Sequence, residues 1–421
     1  MNKNAPLVYF HKTGNNEVSV YEASSAFYLN HIDAIAKGDM PDNVPRLYTK
    51  QYTHQEITLD SLQKKIEEQH SATNKKLSMD CILFKDSQQQ EDFEKNGYVV
   101  IDLIDKNIVD LLTSFYKNVE KNPLSSYGFH VSLDNEDTDQ IRTISEYLIQ
   151  TVRPDLDKYF QNHRIFTASF VIKDKNPMGI VPPHQDWTFV NENEYWSATI
   201  WCPLVDVNFE NGALGVIRGS HLFYDHVRPS PSSSYEPPFK NEIETIFPYL
   251  DILDLKAGQA IVFNNKTIHG SPPNTVDQSR LAFGIGITHQ EASIFHYYML
   301  PDKEKKFIET FEVDPSFFFK YNNARLSDLY AHGKKPHDLN SVGVFRYTYI
   351  DYKKNELIEK MESAGNKKND LFRGSEIFRT EKISAVVQGQ PEVFHQPKLP
   401  FWKVYTPMNI FKEIRYRILK R

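Results

Sequence analysis

Between Phe166 and Thr288 the chain breaks into short strand-like runs: Phe166–Ile172, Ser197–Cys202, Leu214–Ile217, Gln259–Phe263 and Arg280–Thr288, parted by clusters of Gly, Pro and Asn. Runs of this length bounded by turn formers predict a β-sandwich or barrel. Upstream, Gly97-Tyr-Val-Val-Ile-Asp-Leu reads as a buried strand, and Ile108, Leu111, Leu112, Phe115 and Val119 recur at helical spacing. The expected fold class is therefore mainly β with flanking helices.

At 421 residues the chain is longer than one ordinary core, which predicts two or three units. Residues 1–90 mix polar helical stretches such as Leu59–His70 and carry no recognisable chemistry, so they are expected to be an N-terminal extension. Residues 91–300 hold the β-rich part. Residues 301–421 read as helical and charged to about Ser363, then pass through the polar segment Ala364–Asp370 into a tail. The Pro- and Ser-rich stretch Arg228–Lys240 is expected to be a surface loop and a candidate lid. In Asn409–Arg421, an apolar stripe of Ile410, Phe411, Ile414 and Ile418 is surrounded by Lys412, Arg415, Arg417, Lys420 and Arg421. That basic amphipathic pattern fits weak peripheral membrane contact through 409–421, or a terminal helix docked on its own protein, which is the commoner outcome.

The 49 Lys+Arg against 55 Asp+Glu leave a net charge of −6, so bulk charge gives no footing for nucleic acid and points to a small-molecule partner. Cys81 and Cys202 are too few for a disulfide framework and lack metal-ligand spacing. A reducing cytoplasm is the expected compartment. The N-terminus lacks the apolar stretch of a secretory signal, and the longest apolar runs fall well short of the roughly 20 residues a membrane span needs.

The 15 histidines are the richer ligand supply. In Pro182-Pro183-His184-Gln185-Asp186-Trp187, a His and an Asp stand two apart, which on an extended strand turns both to one face. Four such His-x-Asp/Glu pairs occur, His31/Asp33, His54/Glu56, His184/Asp186 and His289/Glu291, where this composition predicts about two by chance. Only the pair at 184 has supporting surroundings. His269, in Thr267-Ile268-His269-Gly270-Ser271, follows another strand-like run and can supply a third ligand. Two imidazoles and a carboxylate leave three positions of an octahedral ion open, the set for non-haem Fe(II), with Zn as rival.

Arg280 heads a strand whose alternate residues Ala282, Gly284, Gly286 and Thr288 are small, while Leu281, Phe283, Ile285 and Ile287 take the other face. A cation at the head of a cleared face suggests a ligand lying along it, with its carboxylate on the guanidinium. Thr199 and Trp201 share a face of Ser197–Cys202 and are candidate walls of the same cavity. Trp187, Phe189, Trp196, Lys173 and Arg218 flank the metal motif and are candidate substrate contacts. His130, His163 and Arg164 are further candidates, whereas His221 and Cys202 read as structural.

These residues resemble the phytanoyl-CoA dioxygenase (PhyH-like) family of Fe(II)- and 2-oxoglutarate-dependent oxygenases. The resemblance rests on His184-x-Asp186, His269-x-Ser271 and Arg280, with Asn211-Gly212-Ala213-Leu214 leading to Gly219-Ser220-His221, and covers roughly residues 90–300. It implies a double-stranded β-helix (jelly-roll, cupin-like) core. It further implies Fe(II) on His184, Asp186 and His269, and 2-oxoglutarate on Arg280, with Ser271 beside it and Thr199 and Trp201 lining it. The implied reaction uses O2 to hydroxylate an aliphatic C–H of a small or carrier-bound substrate, with release of succinate and CO2. Related halogenases carry a small residue where Asp186 stands, so the resemblance favours hydroxylation. Arg218 departs from the Pro that usually precedes Gly-Ser-His in the family. Two other readings stay open: a different metal-dependent cupin-type isomerase or hydrolase, and a non-catalytic jelly-roll binding module.

Overall fold

The structure is a computed structural model. It describes residues 81–119, 128–176, 179–229, 235, 238–300, 307–332, 334–336, 338–339, 341–347 and 352–371, together with the backbone of 7–14, 17–24 and 46–51. The tail 409–421, the stretch Leu59–His70, the pairs His31/Asp33 and His54/Glu56, and most of the loop after Arg228 lie outside the described residues.

In chain order, strands β1 (Leu7–Gly14), β2 (Glu17–Ser24) and β3 (Arg46–Gln51) form an antiparallel sheet in the expected N-terminal extension. Helix α1 (Ser87–Asn96) leads to β4 (Tyr98–Asp102), then α2 (Lys106–Asn118), β5 (Phe129–Val131), α3 (Thr138–Tyr159) and the long β6 (His163–Lys173). Asp86, Asp105 and Asp137 cap the three helices, each accepting from backbone N–H groups of the first turn. Gly97 closes α1 in the left-handed region at φ 81°, which turns the chain directly into β4. There follow β7 (Val181–His184), β8 (Ser197–Pro203), β9 (Gly215–Val216), α4 (Ile243–Ile246), β10 (Asp251–Ile252), β11 (Gln259–Asn264), β12 (His269–Ser271) and β13 (Arg280–His289).

These strands make two antiparallel sheets, one ordered β10-β9-β12-β7 and the other β4-β11-β8-β13-β6-β5. The larger sheet has two apolar faces. One, carrying Val99, Ile101, Ala198, Ile200, Cys202, Leu281, Phe283, Ile285 and Ile287, packs on Leu112 of α2 and Ile144, Leu148, Val152 and Leu156 of α3. The other, with Trp201, Ile261, Phe263 and Ala282, meets Val216 of the smaller sheet and Leu214 just before it. Two antiparallel sheets with helices outside form a jelly-roll core, and they remain open sheets rather than a closed barrel.

Beyond this core, β14 (Ile294–Met299), β15 (Phe307–Val313) and β16 (Ser341–Arg346) form a third antiparallel sheet, accompanied by α5 (Phe317–Lys320), α6 (Asn323–Ala331) and α7 (Lys354–Ser363). The expectation of a helical stretch from 301 to 363 is corrected by β15 and β16. Glu309 and Glu312 make β15 look like a charged helix, but Glu309 is buried and takes the Lys335 ammonium, so its charge is compatible with a covered strand. The β14–β15 pairing also spans residue 300, the expected unit boundary.

Candidate metal and anion site

The strand β7 contains Pro182 and Pro183, which a sheet tolerates at an edge, and β7 is the edge strand beside β12. Gly270 lets the two strands close up: a Cβ there would stand 2.8 Å from the Val181 carbonyl oxygen. The register then places His184 directly opposite His269. Their ring centroids are 4.2 Å apart. Asp186 lies two residues past the end of β7, yet its Oδ1 is 4.0 Å from His184 Nε2 and 3.7 Å from His269 Nε2. The three donor atoms all fall within 4.8 Å of one another.

Each imidazole is turned by a backbone carbonyl two residues before it. Nδ1 of His184 is 2.8 Å from the Pro182 oxygen, and Nδ1 of His269 is 2.9 Å from the Thr267 oxygen. A carbonyl can only accept, so each Nδ1 carries the proton and each Nε2 presents its lone pair to the carboxylate side. Burial, reinforced by His184, pushes His269 down to about 4, which keeps that lone pair available at neutral pH. The Thr199 hydroxyl lies 2.9 Å from Asp186 Oδ2, leaving Oδ1 facing the imidazoles.

A second cluster lies beside the triad. Arg280 is 2% exposed; its Nη1 donates to the Gly212 carbonyl at 2.6 Å, while Nε and Nη2 are buried without a partner. The guanidinium carbon stands 5.1 Å from the Trp201 ring centre. Lys173, 0% exposed, donates to Ser271 Oγ at 2.5 Å and to the Pro272 carbonyl at 2.6 Å. Burial and then the neighbouring Arg280 push the Lys173 ammonium well down, and burial alone lowers Arg280 to about 9. Gly212 makes room for Lys173: it has φ 79°, and a Cβ on it would lie 2.6 Å from Lys173 Cδ.

One cavity of about 220 Å³ reaches from the triad to Arg280; His184, Asp186, Thr199, Trp201, His269, Ser271 and Arg280 all line it, and Lys173 does not. Its apolar wall comes from Phe129, Phe166, Phe189, Leu214 and Phe263. The cleared face of β13 serves it only in part. At Gly284 a Cβ would meet nothing nearer than Val171 at 3.6 Å, but at Gly286 the Phe166 ring fills the space, 2.6 Å from where a Cβ would stand.

The candidate substrate contacts divide. Phe189 lines the cavity, packed on Phe166 at 4.9 Å between ring centres. Trp187 points to Tyr235, 6.1 Å away, and is not among the lining residues. Trp196 is a correction: it is buried in the helix-facing core, with Nε1 donating to the Cys81 carbonyl at 2.6 Å. Arg218 is a second, since it is exposed and its backbone is bound on both sides by Asn366. Lys173 does not line the cavity; its buried ammonium is held by Ser271 and the Pro272 carbonyl. His163 faces Asp157 and Arg164 donates to the Ala292 carbonyl, so neither reaches the cavity; His130 lies near Asp174. His221 is buried with Nε2 bonded to the Glu94 carbonyl, and the Cys202 thiol is pushed up by burial, as expected of structural groups.

Two residues emerge from the structure alone. Asn265, fully buried, sits behind Thr199. Arg228, also buried, grips Glu192 with two nitrogens and donates through Nε to the Asp186 carbonyl at 2.7 Å, pinning the segment that carries the carboxylate ligand.

Within a jelly-roll core, two histidines and an aspartate converge beside a buried arginine, a donor set of the kind that can hold a metal ion. Residues 93–282 match the model of the phytanoyl-CoA dioxygenase (PhyH) family. The chain is 26% identical over 130 residues to a phytanoyl-CoA dioxygenase of Arabidopsis thaliana, covering 30% of this chain and 45% of that protein. It is 30% identical over 142 residues to phytanoyl-CoA dioxygenase domain-containing protein 1 of Danio rerio, covering 32% and 48%. The matches thus span less than half the length of these relatives. Among solved structures, a non-heme alpha ketoglutarate dependent carbocyclase, SnoK from nogalamycin biosynthesis, is similar at 16% identity with a TM-score of 0.38, covering 50% of this chain and 86% of that one.

Proposed function

We propose that the chain is an Fe(II)- and 2-oxoglutarate-dependent dioxygenase that hydroxylates an aliphatic C–H bond of a small or carrier-bound substrate. One observation carries the reading: a triad of two histidines and a carboxylate opens into the same cavity as the buried Arg280, which has two unpartnered guanidinium nitrogens. The donor set suits a ferrous ion, and the orphaned nitrogens suit a carboxylate. A cupin-type hydrolase or isomerase has no use for that second feature.

His184, Asp186 and His269 would hold the iron. Arg280 would receive the distal carboxylate of 2-oxoglutarate through Nε and Nη2, with Lys173 and Ser271 completing the pocket. When bound, the iron supplies the oxidising chemistry by which 2-oxoglutarate and O2 become succinate and CO2, with one oxygen atom delivered to the substrate C–H. Trp201, its ring centre 5.1 Å from the guanidinium carbon, would help hold the cation in place for the carboxylate. Phe129, Phe166, Phe189, Leu214 and Phe263 keep bulk water from the reacting end. Asp186 fills the position that is small in related halogenases, which supports hydroxylation.

Anaerobic addition of Fe(II) with 2-oxoglutarate should give a weak visible charge-transfer band, and aerobic turnover should release succinate. A full chain that binds Fe(II) yet gives no band with 2-oxoglutarate would overturn the reading in favour of another metal chemistry.

A further inference from the structure

The Thr199 hydroxyl lies 2.9 Å from two oxygen acceptors, Asp186 Oδ2 and the side-chain amide of Asn265. A hydroxyl has one proton to donate. The other end of that amide is 3.0 Å from the Ser197 hydroxyl, and Asn265 and Ser197 are both buried. The amide can lie either way round between the two hydroxyls. With its oxygen towards Thr199, the single hydroxyl proton serves either the amide or Asp186 and leaves the other oxygen facing a lone pair. With its nitrogen towards Thr199, every group is satisfied: Ser197 donates to the amide oxygen, the amide nitrogen donates to Thr199, and Thr199 donates to Asp186. Full satisfaction of buried polar groups selects the second arrangement.

The same turn reaches the rest of the triad. Asn265 N donates to the Ser197 carbonyl at 3.0 Å, fixing the turn on β8. The Lys266 carbonyl accepts from Gln185 Nε2 at 2.6 Å, between the two ligands His184 and Asp186. The Thr267 carbonyl orients His269. Asn265 is the member whose side chain, and not its backbone, points at the centre.

We propose that Asn265 is a positioning residue of the metal centre. Its amide nitrogen orders the Thr199 hydroxyl so that its proton goes to Asp186 Oδ2, and the carboxylate offers Oδ1 alone to the ion. The proposal rests on the metal reading above. Groups that orient a ligating carboxylate commonly change metal affinity 10- to 100-fold when replaced, which sets the size of the expected effect at about that range.

The test uses the full chain and Co(II) as a visible probe, without 2-oxoglutarate, and reads Co(II) affinity together with the melting temperature of the metal-free protein. Asn265→Leu, similar in volume, should weaken Co(II) binding about 10-fold or more. Thr199→Val should do the same. In the double variant the Asn265 replacement should cost nothing further, because its route to Asp186 is already gone. A merely structural Asn265 would instead lower the melting temperature and add its loss to that of Thr199→Val. Should Asn265→Leu not fold, Asn265→Ser keeps a hydroxyl in the pocket but cannot reach Thr199, and it should show the same loss. Unchanged Co(II) affinity, or additive losses in the double variant, would overturn the proposal while leaving the metal site intact. Failure of the unaltered chain to take up Co(II) would sink the metal reading and the proposal with it.

Discussion

Arg280 stands directly opposite Lys173 in the ladder between β13 and β6, so two buried cations face each other across an antiparallel pair. Like charges opposite one another destabilise a sheet, and no carboxylate is paired with either among the described residues. The arrangement makes sense for a protein that gains an anion. Replacing the ammonium by an apolar chain in Lys173→Met should leave the ligand-free protein as stable or up to about 2 kcal/mol more stable. The same change should weaken 2-oxoglutarate binding. Thermal melts with and without 2-oxoglutarate measure both signs at once; a variant less stable than the parent and unaltered in its response to ligand would contradict the account.

Arg280→Ala removes both unpartnered nitrogens, and two charge-assisted hydrogen bonds are together worth on the order of 3 kcal/mol, or about 100-fold in affinity. The concentration of 2-oxoglutarate needed for half-maximal succinate release should rise by that order. An unchanged requirement places the carboxylate clamp elsewhere.

Asp186→Ala takes away the only carboxylate of the triad, so iron content after anaerobic loading should collapse together with succinate release. Retention of both would mean that the ion sits on a different set of ligands.

The buried Arg228–Glu192 pair holds the Asp186 segment through the backbone. Glu192→Ala strands a buried guanidinium, and breaking such a pair by removing one partner costs about 3–5 kcal/mol. Urea unfolding should show that loss, with Glu192→Gln intermediate because it keeps an acceptor. A midpoint unmoved by Glu192→Ala would show that the guanidinium finds water instead.

Burial lowers His221 from its usual range to about 4, with its Nε2–H donating to the Glu94 carbonyl. The folded state therefore binds fewer protons than the unfolded chain between about pH 6.5 and 4. Stability contributed by the neutral ring is fully present above the unfolded value near 6.5, falls as pH drops through that window, and levels off below about 4. The expected loss is on the order of 3 kcal/mol. His221→Gln should flatten this part of the stability profile, and an identical slope in the variant would assign the acid sensitivity to other groups.

Local pattern carries the triad and Arg280, because each announces itself by neighbours one or two residues away and by strand alternation. It misplaces Lys173, whose partner is more than a hundred residues distant and is brought to it only by the β13–β6 register. Asn265 leaves no local signal; a hydroxyl shared by two acceptors is visible only in three dimensions. For Trp196 the signal is present. It has the parity of Ala198, Ile200 and Cys202, which face the helices, and not that of Thr199 and Trp201, which face the cavity. The small face of β13 reads as wholly vacant, but the Phe166 ring, from β6 where the ladder register shifts, fills the notch at Gly286. The third sheet is hidden by the acidic residues of β15.

Phe318 of α5 packs against Phe166 at 5.6 Å and Phe189 at 5.7 Å, two of the rings that wall the cavity. On a ribosome, the last of the three metal-binding side chains emerges with residue 269, but the support behind the apolar wall arrives about fifty residues later. For that interval the nascent protein would hold all the groups able to take up an ion while the chamber meant to shield it from water is still unfinished.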